Sequence, residues 1–348
     1  MLHDFFQQLW YSGRLRWVAL LLAPLSWAFA LLSGLRRQAY RAGVFRTVRV
    51  ARPVIVIGNI SVGGVGKTPL TIWLASRLAQ RNLRVGVVLR GYGGRSRRWP
   101  RLATPNSCSQ EVGDEAVLIA TRTSAVVVAG PDRVADAELA IEQGVDVVIC
   151  DDGLQHYRLA RDCEIVVIDE LRGLGNGRLL PAGPLREPPR RLRSADLIVW
   201  TRRSRAGCGA AVPPTPGPSI TVRAKLGEAI NLATGEPRAL QCFKGGPLFA
   251  VAAIGHPEAF FESLRDAGLT VEGRAFPDHA QLTPGDLRFP GGQPVLMTEK
   301  DAVKCRAFDD RRLLERLWAV RMDIEMGERD AEVFLSIVER ALDGAPAR

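Results

Sequence analysis

Several features that would define other protein classes are scarce or absent in this 348-residue sequence. The six cysteines form no C-x-x-C pair and no metal-ligand spacing with the four histidines, which excludes the usual zinc and disulfide-scaffold signatures. We therefore expect reduced thiols in a cytoplasmic compartment. No internal repeat or low-complexity tract is present, and only five residues are lysines.

Arginine supplies almost all of the positive charge, and the net charge is +10. Such a balance favours anionic partners, which include a phospholipid surface, a phosphorylated substrate and nucleic acid. Charge alone does not separate these three. A nucleic-acid-dependent ATPase would fit the charge, but no recognisable nucleic-acid-binding module is present. We therefore predict no nucleic-acid partner.

One uncharged apolar segment lies near the start, at residues 17–35. As a helix it would be roughly 28 Å long, close to the hydrocarbon thickness of a bilayer. Arginines on both sides and three tryptophans fit a helix that contacts an anionic membrane, and Pro24 should kink it. A buried helix of the soluble core is the alternative. The sequence leaves open whether the segment spans the membrane or lies in its interface.

The sequence GNISVGGVGKTP, at 58–69, lies between a short β-branched run at 53–57 and a helical pattern at 68–79. Its glycines allow backbone N–H groups to approach phosphate oxygens at a helix N-terminus. A lysine and a threonine at the end of the loop would hold the outer phosphates and Mg²⁺. The predicted nucleotide-binding residues are Ser61, Val62, Gly63, Gly64, Val65, Gly66, Lys67 and Thr68. Ser61 replaces the first glycine of the common motif, and the alternative is a glycine-rich turn with a chance GKT.

Strand and helix patterns alternate after this loop, which predicts an α/β fold with a mostly parallel sheet covered by helices, as in P-loop NTPases. The predicted strands are 84–89, 125–129, 145–150, 164–169, 248–253 and 294–297. The predicted helices are 113–120, 133–142, 258–267 and 328–342. A proline-rich run at 210–218 predicts a hinge. We thus expect an N-terminal membrane-contact segment (1–40), a kinase-like core (41–209) and a smaller α/β domain (219–348).

Two adjacent carboxylates, Asp151 and Asp152, follow the predicted strand at 145–150. The carboxyl ends of parallel strands border the ligand crevice, and an acidic residue there holds Mg²⁺ in phosphate-loop enzymes. A surface Asp-Asp-Gly turn is the alternative.

Three further polar groups carry weaker signals. Asp114 begins a predicted helix, where an acid is often only a cap. His279 follows Asp278, which could orient it for proton transfer, although an isolated histidine is more often structural. The charges of TEKDAVK, at 298–304, should face a cleft or cap a helix.

Together these segments resemble one family, the tetraacyldisaccharide 4′-kinases of lipid A synthesis. The resemblance rests on GNISVGGVGKTP, RGYGG, VGDEA, DDGLQH, LLPAGPLRE, IGHP, FPDH and TEKDAVK, in the family's order and approximate spacing. It runs from the apolar segment to about Lys304. DDGLQH and TEKDAVK are specific motifs, whereas GKT alone is not. His256 stands where a small polar residue is usual.

The resemblance implies site residues and partners. ATP and Mg²⁺ would be bound by the loop, with Thr68, Asp151 and Glu187 on the metal side. Lys67 and Asp152 would be catalytic, Asp114 would take the proton from the sugar 4′-hydroxyl, and His279 would be its partner. Arg90 and Tyr92 would help to bind the γ-phosphate or the disaccharide. The acceptor would be an acylated glucosamine disaccharide 1-phosphate at the cytoplasmic face of the bacterial inner membrane.

A membrane-associated partitioning ATPase is the alternative function. Such proteins usually carry a lysine before the two glycines, where this sequence has Val62. That class also gives no reason for the FPDH and LLPAGPLRE segments.

Overall fold

Short runs of valine and isoleucine form the centre of the fold, because β-branched apolar residues suit strands that are buried on both faces. The computed structural model describes residues 2–12, 14–202 and 215–344. Within it, every residue of Val54–Gly58, Val85–Leu89 and Val147–Asp151 is buried. The sequence-predicted strands and helices are all found, with ends that move by at most a few residues.

The strands, in chain order, are β1 (Val54–Gly58), β2 (Val85–Leu89), β3 (Arg101–Ala103), β4 (Val126–Ala129), β5 (Val147–Asp151), β6 (Cys163–Asp169), β7 (Leu197–Arg202), β8 (Ser219–Asn231), β9 (Pro237–Arg238), β10 (Pro247–Ala252), β11 (Thr270–Ala275), β12 (Val295–Thr298) and β13 (Leu317–Glu325). The α-helices are α1 (Leu2–Gln7), α2 (Arg16–Leu21), α3 (Ala23–Arg41), α4 (Lys67–Ala79), α5 (Ser109–Val112), α6 (Asp114–Arg122), α7 (Arg133–Glu142), α8 (Pro257–Asp266), α9 (Glu299–Cys305), α10 (Arg311–Leu314) and α11 (Glu328–Asp343).

The strands form one mixed sheet in the order β11-β10-β12-β13-β8-β7-β6-β1-β5-β2-β4-β3, with β9 added to β8. Most neighbours are parallel. The antiparallel pairs within the described residues are β3 with β4, β8 with β9, and β8 with β13. The predicted α/β class with a mostly parallel sheet is therefore confirmed.

The long strand β8 begins directly after the predicted domain boundary at 210–218. It begins at Ser219, pairs in parallel with β7 on one side, and pairs antiparallel with β13 on the other. The sheet is thus continuous between the two halves of the chain. Residues 210–214 of the predicted hinge lie outside the described residues, so the hinge stays a prediction.

The last helix, α11, packs on the phosphate-loop half of the sheet. Phe334 is fully buried there and contacts Trp73 of α4 with ring centroids 5.1 Å apart. Val303 of α9 belongs to the same apolar cluster. The C-terminal part of the chain therefore contributes directly to the core beneath the phosphate loop.

The N-terminal segment consists of α1, a π-helix (Gln8–Ser12), α2 and α3. Among the described residues, no helix is long and apolar enough to cross a membrane. Helix α2 ends and α3 begins at Leu22, two residues before the predicted kink at Pro24. A large apolar face remains exposed on these helices, formed by Trp17, Leu20, Leu21, Leu25, Trp27, Leu31, Leu32 and Leu35.

The opposite face of the N-terminal segment packs on residues 176–186, which we call the bridging segment. Ser26 Oγ donates to Leu179 O at 2.8 Å and accepts from Ala182 N at 3.0 Å. The far end of the bridging segment contacts the phosphate loop, where Val62 N donates to Pro184 O at 2.8 Å. The N-terminal helices and the phosphate loop are therefore joined by one short stretch of chain.

Candidate active site

The phosphate loop is shaped by its glycines. It leaves β1 at Gly58 and enters α4 at Lys67, and both Gly63 and Gly66 have positive φ angles, of 101° and 85°. Residues with a Cβ rarely adopt this conformation. The conformation of the loop is therefore determined by its own glycines. The N-terminus of α4 points toward the phosphate-binding position.

The phosphate loop is also held by Asn59, a buried residue to which the sequence analysis assigned no role. Asn59 is fully buried, and its Nδ2 donates to Ser61 O at 2.6 Å. Its Oδ1 accepts from Lys67 Nζ at 3.0 Å. Its position directly after a buried strand, inside the glycine-rich loop, was the available signal, because a buried amide there must bond to the loop backbone.

The two adjacent aspartates have different surroundings. Asp152 has a positive φ of 51°, which aspartate tolerates better than most residues. Its Oδ1 lies 3.1 Å from Lys67 Nζ and its Oδ2 lies 3.5 Å from Arg186 Nη1. Burial opposes ionisation of Asp152, but the charges of Lys67 and Arg186 outweigh it and lower the pKa to about 2.

Asp151 has the opposite environment. It is almost fully buried, and its Oδ1 has no hydrogen-bond partner among the described residues. Burial and the charge of Glu115 raise its pKa to about 7, against the opposing effect of Lys67. A buried carboxylate oxygen without a donor is what a cation-binding position provides.

The residues present fit a magnesium ion. Asp151 and Thr68 line the same cavity, and both offer the oxygen ligands that Mg²⁺ takes. Within the described chain, no group of three or more histidine, cysteine, aspartate or glutamate side chains could hold a metal by itself. This agrees with the usual mode for Mg²⁺, in which one or two protein ligands act together with phosphate oxygens.

A cavity of about 970 Å³ extends from the phosphate loop to the C-terminal half. Gly63 to Thr68 and Asp151 and Asp152 form one wall, which we call the donor wall. The opposite wall, which we call the acceptor wall, includes Tyr92, Glu115, Asp278, His279 and Lys300. The fold therefore brings two separately predicted groups of residues to one space.

Asp114 and His279 meet at the acceptor wall. Asp114 is the first residue of α6 and is 3% exposed, and its Oδ2 lies 3.2 Å from His279 Nδ1. His279 lines the cavity, whereas Asp114 lies behind the imidazole and outside the lining. Tyr92 packs on the imidazole, with ring centroids 4.5 Å apart. This arrangement can hold and accept a proton at the cavity surface.

Lys300 determines which nitrogen of His279 carries the proton. Its Nζ lies 3.2 Å from His279 Nε2 and 3.3 Å from Glu115 Oε1. Burial alone would lower the pKa of Lys300, but the charges of Glu115, Asp278 and Asp114 outweigh it and raise the pKa. A charged ammonium only donates, so Nε2 accepts and Nδ1–H donates to Asp114.

The predicted metal-side residue Glu187 has other surroundings. Glu187 is buried outside the cavity lining, where it accepts from Gln155 Nε2 at 2.8 Å and from Tyr157 OH at 2.6 Å. Arg191 and Arg37 also lie near its carboxylate. Glu187 thus belongs to an interior hydrogen-bond network beside the cavity.

Ser61 and Val62 likewise lie outside the cavity lining. Ser61 forms a β-bridge with Leu185, and Val62 N bonds to Pro184 O. They hold the base of the loop against the bridging segment. Arg90 and Tyr92, in contrast, both line the cavity.

The fold and the cavity together define a class. A glycine-rich loop between a buried strand and a helix, with a lysine and a strand-end aspartate, is the phosphate-loop arrangement of nucleotide-dependent phosphotransferases. A histidine paired with a carboxylate on the opposite wall supplies a proton acceptor.

Comparison with known proteins narrows the class to one family. Residues 18–342 match the family described as Tetraacyldisaccharide-1-P 4′-kinase. The Tetraacyldisaccharide 4′-kinase of Nitrosococcus oceani is 44% identical over 334 residues, covering 95% of this chain and 94% of that protein. The protein of the same name from Alkalilimnicola ehrlichii is 48% identical over 289 residues, covering 83% and 84%. This chain belongs to the tetraacyldisaccharide 4′-kinase family.

A solved structure also resembles the whole fold. The "apo" form LpxK from Aquifex aeolicus in complex with ATP has a TM-score of 0.78 and 27% sequence identity, and the match covers 93% of this chain and 99% of that chain. The family resemblance inferred from the sequence motifs is therefore confirmed.

Proposed function

We propose that this protein transfers the γ-phosphate of ATP to the 4′-hydroxyl of a tetraacyldisaccharide 1-phosphate, which gives lipid IVA. The observation that carries the proposal is the single cavity between the phosphate loop and the Asp114–His279 pair. Membership of the family supports the same reaction. The reaction requires a donor and a hydroxyl acceptor side by side, and the two walls of the cavity supply one site for each.

The donor wall binds and orients ATP. Backbone N–H groups of the loop and the N-terminus of α4 face the phosphates, and Lys67 balances their charge. Thr68 and Asp151 would hold Mg²⁺, which when bound supplies further positive charge to the transferring phosphate. Asp152 fixes Lys67 from the side through their 3.1 Å ion pair.

The acceptor wall supplies the group that takes the proton from the acceptor hydroxyl. The Asp114–His279 pair accepts the hydroxyl proton as the oxygen attacks the γ-phosphorus, with the imidazole facing the cavity and Asp114 supplying negative charge. Such a group contributes by proton removal and by alignment. Arg90 and Tyr92 are placed to contact the phosphate or the disaccharide, since both border the same space.

The N-terminal helices bring this cavity to the lipid. Their exposed apolar face includes Trp27, Leu31 and Leu32, which are 71%, 62% and 68% exposed. Arginines precede and follow the helices, which suits an anionic leaflet. We infer that the segment lies in the interface of the inner membrane at its cytoplasmic face, where ATP is available.

A phosphate-transfer assay tests the reaction. Purified protein, γ-labelled ATP, Mg²⁺ and the acylated disaccharide 1-phosphate should give labelled lipid on chromatography. Asp114→Asn should lower the transfer rate by about 10³-fold while ATP still binds. Asp309→Asn, at an exposed position, is the matched control and should behave as the wild type.

Two outcomes would contradict the proposal. Wild-type protein that releases free phosphate without labelling the lipid would indicate a switch ATPase instead. Full activity of the Asp114→Asn variant would remove the pair from the mechanism.

A flotation assay tests the membrane contact. Leu32→Asp should reduce binding to vesicles that contain anionic phospholipid, because it places a charge on the exposed apolar face. Val333→Asp, on the exposed side of α11, is the control with the same chemical change. Equal flotation of both variants and the wild type would contradict the proposed membrane contact.

A further inference from the structure

Lys304 is a buried cation behind the acceptor wall. It lies in the last turn of α9, and its side chain is 0% exposed. Lysine is almost never fully buried unless it is paired. Its Nζ lies 2.9 Å from Asp301 Oδ1 and 3.7 Å from Asp114 Oδ2. The ammonium therefore connects an aspartate of its own helix to the carboxylate of the proton-accepting pair.

Both carboxylate oxygens of Asp301 have hydrogen-bond partners. Its Oδ2 accepts from Ala253 N at 3.0 Å and from Thr298 Oγ1 at 2.6 Å, and its own N–H bonds to Thr298 Oγ1 at 3.2 Å. Ala253 O in turn accepts from His279 N at 3.2 Å. Asp301 therefore bonds directly to Lys304 and is connected to the backbone of His279 through Ala253.

The Asp114 carboxylate has a buried cation beside it as well as the imidazole of His279. His279 Nδ1 lies 3.2 Å from Asp114 Oδ2, and Lys300 Nζ lies 3.2 Å from Nε2 on the other side of the ring. The charged groups that face Asp114 and His279 are Lys304 and Lys300 of α9, Asp301 of α9, Glu115 of α6 and Asp278. Among them, Lys304 is the cation within ion-pair distance of the Asp114 carboxylate.

A second ion pair connects the same two helices at their other ends. Arg122, the last residue of α6, bonds to both oxygens of Glu299, the first residue of α9, at 2.7 Å each. The helices are therefore antiparallel, with Asp114 and Lys304 at one end and Arg122 and Glu299 at the other. The Arg122 pair provides a matched comparison, because it joins the same helices away from the cavity.

We propose that Lys304 is a positioning residue for phosphate transfer: its ammonium, 3.7 Å from Asp114 Oδ2, holds the Asp114 carboxylate directed at His279 Nδ1. This inference rests on the proposed kinase function. Lys304 does not line the cavity and acts through Asp114. Its role is separate from holding the helices together, which Arg122 and Glu299 also do.

Kinetics of two methionine variants test the proposal. Lys304→Met should lower kcat by about 10²-fold, leave KM for ATP within about twofold, and shift the acidic limb of the pH–rate profile to higher pH. Arg122→Met should lower the melting temperature but leave kcat and the pH profile of the folded protein close to wild type.

A double variant separates positioning from folding. Lys304→Met leaves Asp301 buried without its cation, which can prevent folding. Asp301→Asn with Lys304→Met removes both charges and keeps an oxygen for Ala253 N. We expect this protein to fold with kcat still lowered by about 10²-fold, whereas Asp301→Asn alone should retain more activity.

The outcomes distinguish this inference from the proposed function. If wild-type protein labels the lipid and the folded double variant does so at the same kcat and pH dependence, the role of Lys304 is overturned. If the wild type itself labels no lipid under these conditions, the proposed function is overturned first.

Discussion

The two walls of the cavity are constructed differently. The donor wall takes its phosphate loop from one contiguous stretch, residues 58–68. The acceptor wall presents side chains from distant parts of the chain: 165 residues separate Asp114 from His279, and 185 separate Glu115 from Lys300. One wall is defined by local backbone conformation, and the other by packing of the two halves of the sheet.

This difference implies different sensitivities. A loop held by glycines between a strand and a helix keeps its shape as long as the neighbouring elements are folded. The acceptor wall requires α6, α9 and the segment around His279 to be correctly placed together. ATP binding should therefore survive changes that abolish transfer, whereas the reverse should not occur.

The largest effect expected in this comparison comes from Lys67→Met. The variant removes the cation that Asn59 and Asp152 hold at the loop, so both ATP affinity and transfer should fall, the latter by about 10³-fold. Nucleotide titration and the lipid-labelling assay measure the two effects. Lys244→Met, at an exposed position outside the cavity lining, is the control. Unchanged ATP affinity in Lys67→Met would contradict the assignment of ATP binding to the donor wall.

Two glycine variants test the difference between the donor wall and the acceptor wall more closely. Gly66 and Gly93 have nearly equal positive φ angles, 85° and 83°, on the donor and acceptor sides. A Cβ at either position would be in ordinary contact, 3.5 Å from Thr201 Cγ2 and 3.8 Å from Asp114 Oδ1. The cost of alanine is therefore backbone strain, about 1–2 kcal/mol at both positions.

The same backbone strain should impair ATP binding at Gly66 and catalysis at Gly93. Gly66→Ala should raise the Kd for ATP by about tenfold. Gly93→Ala should leave that Kd within about twofold and lower kcat by about tenfold, since Gly93 lies beside the proton-accepting pair. Calorimetric ATP binding and steady-state kinetics provide the measurements, and the same profile for both variants would refute the comparison.

The smallest effect concerns the stability of the donor side in acid. Burial, with the charges of Arg133 and Arg90, lowers the pKa of His156 to about 4 from its ordinary 6.5. The unfolded chain therefore binds this proton first, and stability is lost as pH falls from 6.5 to 4. His156→Gln should lose less stability over that window, by about 2 kcal/mol. Urea unfolding at pH 7 and pH 4.5 measures this, and equal losses would contradict it.

Much of the fold was predictable because the signals are local. Apolar runs such as Val54–Gly58 and Val147–Asp151 identify buried strands without any knowledge of their neighbours. Strands β8 and β13 were missed, together with β3, β7, β9 and β11. In β8, Arg223, Lys225 and Glu228 interrupt the apolar pattern, because part of that strand is only half-buried.

The two cavity walls also differ in how well their residues could be predicted from the sequence. The phosphate loop and the strand-end aspartates could be found from residue spacing alone. Asp114 and His279 carried only weak signals in isolation, and the family resemblance was needed to pair them. Lys304 and Asn59 received no role, because nothing in a linear sequence tells which charged or polar side chain becomes buried.

The N-terminal helices carry one further consequence. They are bonded through Ser26 to Leu179 and Ala182, and the same bridging segment bonds onward to the phosphate loop at Val62. Leu9, Ala19 and Ala182 also share a small buried cluster. These helices are thus an integral wall of the catalytic half rather than a detachable anchor. Truncating them would remove structural support from the ATP site together with the apolar face, so loss of activity in a truncated protein would not measure membrane attachment.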